Sequence, residues 1–186
     1  MRDYDQLIIT IPAVDGWDER NECFVTLKEQ TLVLKHSLVS LSKWESKWHK
    51  PFLSKEKKTE EEMKDYIKCM TITQNVNPDC YSYLTKNNMK EISDYIADPM
   101  TATKIYDNRN TSGTGKETIT SELIYFWMCN FSIPSEYAKW HLNRLLTLIR
   151  VCNVKNTPPK KRSTKEIMAR NRALNAERKA KMHTSG

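Results

Sequence analysis

The sequence predicts an α+β protein that is mainly α, with a small N-terminal antiparallel β-sheet, a helical bundle and a basic C-terminal helix. Three observations predict this class: short β-branched runs near the N-terminus, a change of apolar spacing to three or four residues after Ser37, and a basic segment after Pro158-Pro159. We therefore divide the chain into a β-sheet region (1–36), a helical core (37–154), and a linker with a basic helix (155–186).

Three short runs rich in β-branched residues predict the strands of the sheet: residues 7–11, 23–27 and 31–34. Turn-forming residues separate the first two runs, among them Pro12, Asp15-Gly16 and the segment 18–21. Residues 28–30 form a connection short enough for a hairpin loop. We therefore expect the second and third runs to pair with each other.

The first two helices of the core are predicted by apolar spacing and capping residues. After Ser37, one helical face carries Leu38, Leu41, Trp44 and Trp48. Pro51 ends this helix. The second helix begins at Thr59, whose side chain can cap it, and Glu60–Glu62 place negative charge where the helix dipole favours it.

The rest of the core is predicted to be helical on both sides of a polar loop. Shorter segments cover 80–84 and 85–97, the polar loop covers 106–117, and two apolar helices cover 120–131 and 134–153. Residues 120–131 are apolar nearly all round, which is typical of a helix enclosed by others. We therefore expect these last two helices to form the centre of the core.

The net charge of +7 is concentrated in the last 32 residues. Residues 155–186 hold ten Lys or Arg and two Asp or Glu, while the remainder of the chain is nearly neutral. Ser163 and Glu166 have the spacing of a capping box, which predicts a helix from there to about Met182. A basic helix of this kind suits an acidic protein surface or a phosphate backbone.

This basic tail is the candidate partner-binding site. Its basic residues are Lys160, Lys161, Arg162, Arg170, Arg172, Arg178, Lys179 and Lys181. Four alanines that recur on one helical face form a seam that allows another helix to approach closely: Ala169, Ala173, Ala176 and Ala180. A protein partner is favoured. A solvated tail that only aids solubility is the next interpretation. Nucleic acid is the second choice of partner, because the absence of aromatic residues from 155 to 186 disfavours base stacking.

No catalytic or metal-binding signature is present in the sequence, so we expect neither an enzyme nor a cofactor. Residues 113–118 superficially match a phosphate-binding loop, but Asn110 and Glu117 occupy the positions that need glycine and Ser or Thr. The histidines and cysteines lack the paired spacing of zinc ligands, and His141 is interpreted as a structural core histidine. Trp44 and Trp48, which alternate with lysines, suit a core face better than a base-stacking platform or a membrane anchor, because leucines continue that face.

The sequence also predicts the compartment. No apolar run approaches the roughly 20 residues needed to cross a membrane, and the N-terminus lacks the pattern of a secretory signal. Five cysteines with irregular spacing are typical of free thiols in a reducing compartment. We expect a soluble intracellular protein with no membrane partner.

Several strings of residues resemble proteins from the tail gene cluster of long-tailed phages and prophages, most of all their tail assembly chaperones. The strings are Leu34–Ser40, Lys43–Trp48 followed by Lys50–Leu53, Trp140–Leu146, and Asn171–Arg178. The resemblance implies a non-enzymatic protein that keeps the helical tape measure protein soluble and yields it to tail-tube subunits, with a homo-oligomer possible. It implies action in the host cell cytoplasm during assembly. Two alternatives stay open: a nucleic-acid-associated protein, and a structural connector or tail component of the virion.

Overall fold

A computed structural model describes residues 5–18, 22–104, 118–157 and 164–182. It confirms the predicted α+β class with mainly helical structure. The elements of the described residues are β1 (Leu7–Ile11), β2 (Val14–Asp18), β3 (Cys23–Leu27), β4 (Gln30–Leu34), α1 (Leu38–Trp48), α2 (Glu60–Met70), a 3-10 helix (Pro78–Tyr83), α3 (Lys86–Ala97), α4 (Ser121–Asn130), a 3-10 helix (Ser135–Lys139), α5 (Leu142–Asn156) and α6 (Thr164–Met182). The chain forms two compact units, Met1–Cys152 and Asn153–Gly186.

The four strands form an antiparallel ribbon of two successive two-stranded sheets, rather than the predicted hairpin of the second and third runs. Strand β1 pairs with β4, and β2 pairs with β3, in a single continuous register. The expected pairing of residues 23–27 with 31–34 is therefore wrong, and Asp15-Gly16 lie within β2 instead of in a turn. The physical reason is burial: this register aligns Ile9 with Leu32 and Leu7 with Leu34, so that one face of the ribbon meets the core.

The junction between β4 and α1 lies at the centre of the first unit. The backbone N–H of Lys35 donates to the carbonyl of Met70 (2.8 Å), and the N–H of Leu142 donates to the carbonyl of His36 (2.9 Å). Ser37 then caps α1 by accepting from the N–H of Ser40. The segment 35–37 thus joins the ribbon, the end of α2 and the beginning of α5, and this explains why His36 is buried.

Helices α1 and α2 pack against each other through the faces that the sequence predicts. Leu38, Leu41 and Trp44 of α1 are buried, and Thr59 caps α2 by accepting from the N–H of Glu62. The Nε1–H of Trp44 donates to the carbonyl of Glu62 (2.9 Å). Trp44 and the half-buried Trp48 therefore belong to a core face, as predicted, and are unavailable as a base-stacking platform.

Two ion pairs fasten the lysines beside these tryptophans to α2. Lys47 pairs with Asp65, which also accepts from the Nε1–H of Trp48 (2.9 Å), and Lys50 pairs with Glu62 (2.6 Å). Burial pushes the pKa of Asp65 upward, but the hydrogen bonds from Lys47 and Trp48 outweigh it, so the pKa is lowered overall. The hydrogen bond from Lys50 is the main cause that lowers the pKa of Glu62.

Of the two helices expected at the centre of the core, α4 lies at its edge, whereas α5 buries Leu142, Leu145 and Ile149. Helix α4 buries Ser121, Ile124 and Met128 but exposes Tyr125 and Phe126, so it is covered on one side only. The segment 134–153 is not one helix, because a 3-10 helix (Ser135–Lys139) precedes α5. The ribbon, α1 and α2 supply most of the largest fully buried side chains.

Two further predictions concern thiols and membranes. Cys69, Cys80, Cys129 and Cys152 are free thiols, as the sequence predicts. In the part of the chain that the structure describes, none of the helices combines the length and apolar character needed to cross a membrane.

Candidate partner-binding site

Helix α6 is nineteen residues long and carries most of the predicted partner-binding residues. Arg170, Arg172, Arg178, Lys179 and Lys181 are all exposed on it. Lys181 pairs with Glu177 one turn earlier (2.8 Å). The remaining three predicted basic residues, Lys160, Lys161 and Arg162, lie outside the described residues, as does Ser163 of the predicted capping box.

The alanine seam of α6 is open to solvent. Ala169, Ala173, Ala176 and Ala180 are exposed, and so is every other residue from 167 to 182. Most helical stability in proteins comes from packing one face of the helix against other elements. An uncovered seam of small side chains, ringed by basic residues, is therefore a surface suited to another helix.

A second face of α6 was not predicted from the sequence. Ile167 and Leu174 are exposed and lie seven residues apart, which places them on one face, roughly opposite the alanine seam. Arg170 and Arg178 follow them by three and four residues and lie beside them. The i, i+7 spacing of two branched apolar residues was the available signal, and it was masked by the more regular alanine pattern.

The outer face of α4 is a second exposed surface that sequence reasoning missed. Phe126 is 62% exposed and Tyr125 lies next to it, also exposed. Ile124 and Met128 of α4 are buried, and α4 contacts α1. A continuous apolar sequence cannot reveal which face is covered, because every face satisfies the same pattern.

A buried carboxylate sets the orientation of α4. Glu45 of α1 is buried, and its Oε2 accepts from the N–H of Ser121 at the start of α4 (2.7 Å). Its Oε1 accepts from the N–H of Phe52 (2.8 Å). Because the first N–H groups of a helix have no partner within that helix, Glu45 satisfies one of them and joins α4 to α1. This bond holds the α4 surface in place.

Two histidines form the most buried polar cluster of the first unit. His36 is 2% exposed and His141 is fully buried, and their rings meet edge to face with centroids 5.0 Å apart. The Nδ1 of His36 and the Tyr66 hydroxyl form a hydrogen bond (2.6 Å). The Nε2–H of His141 donates to the carbonyl of Tyr95 (3.1 Å).

The environment of this cluster favours neutral rings. Burial, with a smaller contribution from His141, lowers the pKa of His36 to about 3. Burial also lowers the pKa of His141, and the Tyr95 carbonyl, Asp5 and Asp98 oppose that change. His141 was expected to be a structural residue with all its hydrogen bonds made, but within the described part of the chain its Nδ1 has no partner. The cluster is enclosed, so it acts on stability rather than on a ligand.

In the described ranges, no group of three or more His, Cys, Asp or Glu side chains is placed to hold a metal ion. The segment 113–118, considered above as a phosphate-binding loop, lies largely outside the described residues. Comparisons of the chain with protein-family models, with curated proteins and with solved structures found no match.

Proposed function

We propose that the chain is a non-enzymatic phage tail morphogenesis protein, an assembly chaperone that binds the helical tape measure protein through its helical body and its basic tail. One observation carries the proposal: the nineteen-residue helix α6 exposes its alanine seam and its basic residues together. A chaperone for an elongated helical protein needs a surface of this kind, because a helix can lie along a seam of small side chains. The sequence resemblance to tail assembly chaperones supports the same function.

The exposed surfaces of α6 and α4 would make different contacts with the client. Small side chains of α6 allow close helix-to-helix packing, and the surrounding Arg and Lys side chains pair with acidic residues of the client. Phe126 and Tyr125 on α4 supply larger apolar contacts, which cover apolar client surface until tail-tube subunits replace the chaperone. The interaction has to be reversible, and a contact of small and charged side chains is weaker than one built on a large apolar face.

Co-expression with the tape measure protein of the same phage tests the proposal. The wild-type chain is expected to raise the soluble yield of that protein several-fold, and deletion of residues 158–186 is expected to remove most of the gain. The double variant Ala169→Glu with Ala176→Glu should act like the deletion, because two carboxylates then occupy the seam. The measurement is soluble tape measure protein on quantitative blots.

The matched control is Asn171→Glu with Asn175→Glu, which makes the same change of charge on exposed positions away from the seam. This control should retain most of the gain in solubility. An equal loss in both double variants would show that net charge alone matters and that the seam does not. Unchanged soluble yield with and without the wild-type chain would refute the chaperone function.

The exposed basic residues of α6 also favour a second candidate, a nucleic-acid-associated protein. Neutralised phosphates release counterions, so its affinity for DNA or RNA would fall steeply as salt increases. A salt titration without binding at low ionic strength would eliminate it. A virion connector or tail component, the third candidate, would be present in purified virions, whereas an assembly chaperone would be absent from them.

A further inference from the structure

The outer half of the β-ribbon, β2 with β3, carries an exposed aromatic pair. Trp17 and Phe24 are directly opposite each other in the register, so their side chains lie on the same face. They are 58% and 72% exposed. Beside them on that face, the Thr26 hydroxyl donates to Oδ1 of Asp15 (3.0 Å), which holds this carboxylate next to the aromatic pair.

This outer ribbon has little support from the rest of its unit. Among the described residues, β2 and β3 contact each other extensively, but no helix contacts either of them extensively. The other face is open at Gly16, where an added Cβ would meet nothing within 4 Å. A two-stranded ribbon is marginally stable alone, and large aromatic side chains exposed on it are typical of an interaction surface.

Charge identifies the chemistry of the partner. On the described part of the outer ribbon, Asp15 and Glu22 are exposed carboxylates, and β2 and β3 contain no Lys or Arg. A phosphate backbone or an anionic membrane would be repelled from this surface. A basic helix with an apolar face would be attracted to it.

Helix α6 has these properties. It contains six basic and two acidic residues, and its Ile167–Leu174 face is bordered by Arg170, Arg178 and Lys181. The two branched side chains are apolar, like the aromatic pair, and the arginines carry the charge opposite to that of the carboxylates. An arginine can also stack on the face of a tryptophan ring.

We propose that the outer ribbon of one copy of this chain binds the Ile167–Leu174 face of α6 of a second copy. The contact joins two different surfaces, so it is heterologous and links copies head to tail. It uses the face of α6 that lies opposite the alanine seam, so the seam stays open for a client. Self-association is therefore an activity separate from the proposed function.

Sedimentation velocity of the full chain, over a concentration series at about 50 mM and about 500 mM salt, tests this contact. The average mass is expected to rise with concentration at low salt, and the association constant to fall at least about tenfold at high salt. Trp17→Ser with Phe24→Ser should weaken association by about 30-fold or more. Ile8→Ser, which removes an exposed apolar side chain from β1, should leave association unchanged.

A mixing experiment separates this arrangement from other modes of association. The ribbon variant Trp17→Ser with Phe24→Ser and the tail variant Arg170→Glu with Arg178→Glu should each be monomeric alone. Mixed together they should form a 1:1 dimer, because each supplies the half that the other lacks. All four substituted positions are exposed, and circular dichroism of each variant checks that it is folded.

Three results would overturn the proposal. A tail variant that still self-associates would indicate ribbon-to-ribbon pairing instead. A ribbon variant that keeps wild-type association would show that the aromatic pair is not involved. A wild-type chain that stays monomeric at every concentration would show that copies do not bind each other, including the case in which the surfaces meet within one chain.

Discussion

The substitution Glu45→Ala is expected to lower the free energy of unfolding by about 2–5 kcal/mol, because it leaves the buried N–H groups of Phe52 and Ser121 without an acceptor. It also removes the bond that joins α4 to α1. We expect Glu45→Gln to destabilise the fold as well, since the amide nitrogen cannot accept from the second N–H. Urea denaturation followed by tryptophan fluorescence measures both changes.

The matched control is Ser46→Ala, the next residue of α1, whose side chain is exposed. Its free energy of unfolding should stay within about 0.5 kcal/mol of the wild type. If Glu45→Ala were as stable as this control, the two N–H groups would have other acceptors, and the role assigned to Glu45 would be wrong.

Acidification from pH 7 to pH 5 is expected to lower the free energy of unfolding by about 2 kcal/mol through His36 alone. The folded-state pKa of His36 is lowered to about 3, whereas the unfolded chain binds its proton near pH 6.5. Below pH 6.5 only the unfolded state gains the proton, so stability decreases as pH falls and stops decreasing near pH 3. Above pH 6.5 both states are neutral and the effect vanishes.

His141 also lowers the free energy of unfolding as the pH falls, because burial lowers the pKa of its ring in the folded state. The groups around His36 and His141 either reduce this loss of stability at low pH or leave it unchanged. The Oδ2 of Asp5 accepts from the backbone N–H of His141 (3.3 Å), and Asp5 with Asp98 favours the charged ring. The Tyr66 hydroxyl is un-ionised in this range, because burial raises its pKa.

Chemical denaturation at pH 7, 6 and 5 measures the slope, with His36→Gln and the exposed His49→Gln as test and control. The first variant should flatten the dependence on pH and the second should keep it. Since His36→Gln removes a buried ring, NMR titration of the wild-type histidines gives an independent measurement. A His36 resonance that titrates near pH 6.5 in the folded protein would contradict the prediction.

Features that depend on neighbouring residues along the chain agree with their prediction from the sequence. Thr59 caps α2, Ser37 begins α1, and the predicted end of α6 near Met182 agrees with the structure. Capping and apolar spacing act within a few residues, so they can be read directly. The buried position of His141 was also predicted, but the absence of a partner for its Nδ1 depends on residues far away in the chain.

The candidate site was predicted in part. The basic residues and the alanine seam of α6 were identified from charge and spacing, and the structure exposes those among them that it describes. Phe126, Trp17 and Phe24 were missed, because an apolar residue in a strand or an apolar helix is ordinarily counted as core. Only the packing of its neighbours shows that such a residue is exposed.

By itself, the sequence determined the class of the fold, the beginnings of the capped helices and the location of the positive charge. These follow from local preferences and from composition. Only the tertiary structure decided that β1 pairs with β4 and that α4 is covered on one side. It also decided that Glu45 and the two histidines lie where separate elements of the core meet. Those features depend on contacts between residues distant in the chain, where many pairings satisfy the same local pattern and the burial of apolar surface selects one of them.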